Sequence, residues 1–237
     1  MLVLGVDSAT QVAGAALINN DLLLAETFFN TRKNHSQRLL PMLVNLLAEA
    51  GVELAELDGL AVAIGPGSFT GLRIGLATVK GLAHVAQKPL VGVPLLDSLA
   101  WNAWEVRGLV CPVINARRQE VYTALYRWQE GELCRLTPYQ AVDPAVLLNS
   151  LQSYDMPVYF LGDGVAPYLE LWQQLGSRAR FLPPTGTWPR AAQIAYLGRK
   201  RLQAGEADDL IRLKPLYLHP GPVKIKEKET SRYKSCP

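Results

Sequence analysis

The run Gly65-Pro66-Gly67-Ser68-Phe69-Thr70-Gly71-Leu72-Arg73-Ile74-Gly75 is where this chain could present backbone N–H groups to an anion or to a partner. It lies between an apolar run, Leu60 to Ile64, and a long helical pattern from Thr70 to Gln87. A glycine-rich turn between a strand and a helix is a common phosphate cradle. The spacing here fits no nucleotide fingerprint. A P-loop needs a lysine after its last glycine, and none follows. A dinucleotide turn needs Gly-x-Gly-x-x-Gly, and the third glycine comes one residue late. A nucleophile elbow needs Gly-x-Ser-x-Gly, where this chain has Pro66 and Thr70. The three histidines, His35, His84 and His219, share no metal-ligand spacing, and the three cysteines include no Cys-x-x-Cys pair. Neither a zinc knuckle nor a His-Glu-x-x-His protease is written into this sequence.

The elements that must position the glycine run follow from periodicity. Residues 2–7, 12–18 and 22–30 read as strands, the last two joined through Asn19-Asn20-Asp21. A helix over 35–50 carries Leu39, Leu40, Leu43, Leu46, Leu47 and Ala50 at three- and four-residue steps. Asn34 or Ser36 can cap it, and Pro41 predicts a late start or a slight kink. Strand 60–64, helix 70–87, strand 90–93 and helix 95–106 complete the first half. The second half repeats the order: strands 110–115, 120–128 and 132–137, a helix over 143–153 with Pro144 at its first position, strand 157–161, helix 165–175, strand 180–182 and a last helix over 189–204.

Two copies of βββαβαβα are the plan of the α/β actin-like ATPase (ASKHA) fold, with a five-stranded mixed sheet in each domain. The expected division is a first domain over 1–104, a second over 105–188, the 189–204 helix packing back onto the first, a C-terminal segment over 205–220 and a disordered basic tail over 221–237. In that fold the first phosphate loop is the turn Asp7-Ser8-Ala9-Thr10. Asp7 can contact a magnesium-bound water, and the Ser8 and Thr10 hydroxyls can donate to phosphate. The same residues equally close a hairpin by side-chain to backbone bonds. Gly162 and Gly164 form a candidate adenine loop or a plain strand-to-helix turn. The second phosphate loop normally supplies an aspartate. Asn115 stands there, a neutral amide that neither holds magnesium well nor acts as a base. Asp7, Ser8, Thr10, Gly162 and Gly164 are therefore candidates for a weak nucleotide site, without a fast ATPase.

The chain has 237 residues, 49% of them hydrophobic, enough for a substantial core. Its net charge of +3 is carried by Lys224, Lys226, Lys228, Arg232 and Lys234 against Glu227 and Glu229, which leaves the body neutral. Net charge thus points to no nucleic-acid groove in the body, and the tail offers at most a weak electrostatic contact. The opening Met1-Leu2-Val3-Leu4-Gly5-Val6-Asp7 has no basic start and turns polar after six residues, so it reads as a strand rather than a signal peptide. No run approaches the roughly 20 apolar residues of a membrane helix. The expected location is cytoplasmic.

Several segments resemble the TsaB (YeaZ) family of bacterial tRNA threonylcarbamoyladenosine biosynthesis proteins. They are Leu4 to Thr10, His35-Ser36-Gln37-Arg38-Leu39-Leu40-Pro41, Gly65 to Gly75 extended through Ala77 to Ala83, and Asn115 to Tyr122. Pro215-Leu216-Tyr217-Leu218 adds a weaker match. The chain departs from the family at Asn115, where the family usually has aspartate, and at His219, where it usually has arginine. The resemblance implies a non-catalytic paralogue of the transferase TsaD. In TsaD a Gly-Val-Asn-His-x-x-x-His segment supplies two metal-binding histidines. The matching segment here is Gly92-Val93-Pro94-Leu95-Leu96-Asp97-Ser98-Leu99, so Leu95 and Leu99 hold the histidine positions, and a leucine has no lone pair to give a metal.

The implied function is a partner-activating subunit for synthesis of threonylcarbamoyladenosine (t6A) in tRNA, binding a TsaD-like paralogue and working with a TsaE-like ATPase. No catalytic residue and no tightly bound cofactor are expected in this chain; ATP, magnesium and metal belong to the partners, and tRNA is met indirectly. Gly71, Gly75 and Thr78 share one face of the second helix, with Leu82 a turn on. Glycine inside a helix costs about 1 kcal/mol relative to alanine. Such a cost is retained where a backbone must come close to something, and here that reads as a partner helix. The expected interface, also open to a second copy of the chain, comprises His35, Leu39, Met42, Leu43, Leu46, Gly71, Arg73, Gly75, Thr78 and Leu82. The competing readings are an actin-like-fold phosphotransferase and, against Leu95 and Leu99, a glycoprotease-like metalloprotease.

Overall fold

A computed structural model of the chain describes residues 1–30, 35–116 and 119–218. They form two compact units, one of Met1–Ser98 with Pro189–Leu216, the other built on Leu99–Trp188. The basic tail from 221 onward lies outside the described residues.

The first unit has a five-stranded sheet of β1 (Leu2–Asp7), β2 (Val12–Asn19), β3 (Leu22–Asn30), β4 (Gly59–Gly65) and β5 (Leu90–Pro94), in the order β3-β2-β1-β4-β5. The hairpin strands β1, β2 and β3 pair antiparallel, whereas β1–β4 and β4–β5 are parallel. Parallel strands need a crossover, which the helices α1 (His35–Glu49) and α2 (Phe69–Ala86) provide. Leu39, Met42, Leu43, Leu46 and Leu47 of α1 meet Leu76, Val79 and Ala83 of α2 and Leu4, Val6 and Leu17 of the sheet in one core. Pro41 sits inside α1 without delaying its start. Proline has no N–H to give the carbonyl four residues back, that of Gln37; Gln37 is exposed to water, and the buried stripe holds the helix together.

Helix α6 (Ala191–Gln203) covers the other face of this sheet at backbone distance. A Cβ on Gly5 would lie 2.5 Å from Ala195 N and 2.6 Å from Ala191 O. After α6 the chain bridges Leu90 through Asp208 and brings Leu216 N–H to Ile64 O at 2.7 Å.

In the second unit β6 (Leu109–Asn115), β7 (Val121–Thr123), β10 (Gln140–Val142), β11 (Val158–Leu161) and β12 (Ala179–Phe181) repeat the path as β10-β7-β6-β11-β12. The pairing senses repeat too, antiparallel on the β7 side and parallel on the β11 side. This sheet has seven strands rather than the expected five, because β8 (Tyr126–Gln129) and β9 (Glu132–Arg135) add a hairpin on β6. The expected strand over 120–128 breaks at Ala124 and Leu125, which are both buried. Thr137 Oγ1 and Leu136 N–H satisfy the Leu125 backbone there.

Three helices depart from or follow the periodic pattern in this region. Helix α3 (Leu95–Ala100) stops well short of 106. Asn102 Nδ2 donates to the carbonyls of Gly186 and Trp188, and Trp101, Trp104 and Trp128 cluster with ring centroids 4.8–5.3 Å apart. Helix α4 (Pro144–Gln152) starts on an Asp143 cap, Oδ1 accepting from Ala145 N–H. The expected helix over 165–175 is reduced to α5 (Leu169–Trp172) between 3-10 turns, with Pro167 before it and Gly176 at φ 61° after it. No described helix is long and apolar enough to cross a membrane.

Candidate functional site

Strand β1 runs out at Asp7, and the turn Asp7–Thr10 is buried throughout. Asp7 Oδ1 accepts from Ala9 N–H at 2.8 Å, while Oδ2 is buried without a hydrogen-bond partner among the described residues. Burial pushes the Asp7 carboxyl up to about 7, against the lowering effect of the Ala9 and Ser8 amides. Thr10 Oγ1 accepts from Val12 N–H. These bonds close the hairpin from within.

The same turn is fastened to the start of α2. Ser8 Oγ–H donates to Gly71 O at 2.9 Å, and Ser68 N–H donates to Ala9 O at 2.6 Å. Ser68 caps α2, its Oγ accepting from Gly71 N–H. The glycines of the run make this approach possible. A Cβ would lie 2.2 Å from Ala9 O at position 67, 2.1 Å from Ser8 O at position 71 and 2.3 Å from Ser8 Oγ at position 75. Gly71 and Gly75 therefore admit this chain's own β1–β2 turn, which corrects the expectation that they open α2 to a partner helix. Periodicity located the tight face of α2; it carried no signal for what lies against it.

Four further interface candidates also turn inward. Leu39, Met42, Leu43 and Leu46 are buried in the core of the first unit. Thr78 and Leu82 are half-buried, Arg73 is exposed with its guanidinium 3.8 Å over the Phe69 ring, and His35 opens α1. The outward residues are others: Leu40 (47% exposed), Pro41 and Val44 (57%) on α1, and Phe69 (50%), Ala77 and Gly81 on α2. A Cβ on Gly81 would meet nothing within 4 Å. No separate sequence signal marked the outward residues of α1, because Leu40 and Val44 sit among Leu39, Pro41, Leu43 and Leu47. This face is also basic: α1 and α2 carry Arg38, Arg73 and Lys80 against the single acid Glu49.

Gly162 and Gly164, in the second unit, bind the end of β6. Gly164 N–H donates to Val113 O at 2.9 Å, and a Cβ on Gly162 (φ 108°) would lie 2.2 Å from that oxygen. Asp163 Oδ1 accepts from Asn115 N–H at 2.7 Å, and burial raises the Asp163 carboxyl. The turn is held as a strand-to-helix connection. His84 is exposed on α2, and Leu95 and Leu99 are fully buried. Among the described residues no group of three His, Cys, Asp or Glu side chains is placed to hold a metal ion.

The family model of TsaD, tRNA N6-adenosine threonylcarbamoyltransferase, matches residues 23–221. The tRNA threonylcarbamoyladenosine biosynthesis protein TsaB of Bacillus subtilis is 34% identical over 98% of this chain and 100% of its own length. Among solved structures, YeaZ from Pseudomonas aeruginosa superposes with a TM-score of 0.77 at 30% identity, over 92% of this chain and 99% of that one. The ROK hexokinase of Thermus thermophilus, at 13% identity and TM-score 0.51 over 86% of this chain and all of its own, shares the fold alone.

Proposed function

This chain belongs to the TsaB family of tRNA threonylcarbamoyladenosine biosynthesis proteins, and on that premise we propose that it is a non-catalytic subunit that binds and activates a TsaD-type transferase. The observation that carries the reading is the outward face of α1 and α2, where Leu40, Pro41, Val44, Ala77 and Gly81 leave apolar surface in water beside Arg73. Exposed apolar surface rimmed by charge marks association sites. The full burial of Leu95 and Leu99 supports placing the metal chemistry in the partner. A TsaE-type ATPase supplies nucleotide turnover, tRNA is held by the complex, and the setting is the cytoplasm. The same face suits a second copy of this chain when the transferase is absent. An omission assay tests this: transferase, ATPase, tRNA, ATP and threonylcarbamoyl-AMP, with and without this chain. Modified adenosine formed only in its presence is the expected result; equal product without it would end the proposal.

A nucleotide phosphotransferase is the second reading. It is favoured by one observation, the buried Asp7 Oδ2 at the end of β1, which has no hydrogen-bond partner among the described residues. A hard cation or its water suits such an oxygen. Against it, the Ser8 hydroxyl is committed to Gly71 O, and Asn115 is a neutral amide. Calorimetric titration with Mg-ATP separates the two readings, with no binding at micromolar concentration expected for the subunit.

A further inference from the structure

We infer that Ser8 is a positioning residue for the partner face: the β1–β2 turn, wedged into the notches at Gly67, Gly71 and Gly75, sets where α2 stands and so where its outward residues meet a partner. This rests on the α1–α2 docking face proposed above and names what controls its geometry.

Helix α2 is rigid and two-sided. Gly71, Leu72, Gly75, Leu76, Val79 and Ala83 face inward, and Arg73, Ala77, Gly81 and His84 face out. Near the start of the helix the inward side rests on the Ser8–Ala9 backbone and on the Ser8 hydroxyl, which its bond to Gly71 O holds in place. Two hydrogen bonds, the buried one from Ser8 Oγ–H to Gly71 O and that from Ser68 N–H to Ala9 O, fix the register between turn and helix. Close-packed interiors transmit displacement instead of absorbing it. Any change that thickens the turn moves the outer side of α2 by a comparable amount, and interface cores are packed as tightly as protein interiors.

The test is a compensating pair. In Gly75→Ala the new Cβ falls 2.3 Å from Ser8 Oγ, whereas Ser8 Cβ stays 3.6 Å away. Ser8→Ala removes the only atom in conflict. Affinity for the TsaD-type paralogue is measured by calorimetry, with thermal melts confirming that each variant folds. Gly75→Ala is expected to weaken binding about tenfold, and Ser8→Ala/Gly75→Ala to return to about the level of Ser8→Ala alone. Ser8→Ala alone, which cannot crowd the helix, gives a second arm with an expected loss of about threefold and guards against misfolding of the glycine variant. A folded Gly75→Ala that binds like the parent, or a double variant no better than Gly75→Ala, overturns the inference. Val44→Asp separates it from the docking face itself: if Val44→Asp binds normally, the face is wrong. If Val44→Asp abolishes binding while folded Gly75→Ala does not weaken it, only the role of Ser8 is wrong.

Discussion

The Ser8 hydroxyl and Gly75 meet without space for a methyl group, a Cβ at 75 falling 2.3 Å from Ser8 Oγ. The first turn of the sheet and the second helix thus form one mechanical unit, and the glycine run serves that contact first. The docking face proposed above lies on the opposite side of the same helix.

If α1 and α2 dock a partner as proposed, a change on their outward side should break association without harming the fold. Val44 is 57% exposed, so Val44→Asp is expected to change monomer stability by no more than about 0.5 kcal/mol. A carboxylate buried in an apolar contact without a partner is costly, and affinity for the transferase should fall at least about tenfold. Binding calorimetry beside a urea melt checks both halves.

Two leucines about one turn apart on α1 should behave oppositely. Leu43 is 1% exposed and Leu40 47%. Leu43→Ala is expected to lose about 2–5 kcal/mol of unfolding free energy. Leu40→Ala should stay within about 0.5 kcal/mol of the parent. Denaturant midpoints of the two variants decide it; equal losses would mean that α1 is rotated from the orientation described.

Asp7 gives a pH-dependent prediction. Its carboxyl holds a proton up to about pH 7 in the folded chain, against 3.8 for the free group. Between those values the folded state binds the additional proton, so stability falls as pH rises through the window and is lowest above it. The loss is bounded by about 4 kcal/mol at roughly 1.36 kcal/mol per unit. Asp7→Asn keeps an acceptor for Ala9 N–H and carries no charge. Its melting temperature should exceed that of the parent at pH 8, with the difference closing towards pH 4.

Gly5→Ala tests the seating of α6. The added Cβ would strike Ala195 N and Ala191 O, both backbone atoms. Overpacking against backbone costs about 1–3 kcal/mol or more. A drop in melting temperature is expected, whereas Gly81→Ala, with open space around it, should be neutral or slightly stabilising.

The first half of the fold was legible because its elements are local and strongly periodic: β1 to β5, α1 and α2 fall within a residue or two of their patterns. The second half was less so. The break at Ala124–Leu125 and the end of α3 meet Thr137, Gly186 and Trp188, partners distant in sequence that no window of periodicity includes.

For the candidate site, the sequence by itself determined which residues share a face of each helix and that α2 needs glycine on one of its faces. It also determined that positions 95 and 99 cannot ligate a metal. Only the tertiary structure decided which face is inside. Helical spacing is a relation among residues of one segment and is the same whichever way the helix is turned. Leu39, Met42, Leu43 and Leu46 became core because the sheet lies on their side, and Leu40 and Val44 became surface because it does not. The glycines close on Ser8 and Ala9 for the same reason: a residue some sixty positions away in sequence reaches them only after β1 and β4 have paired.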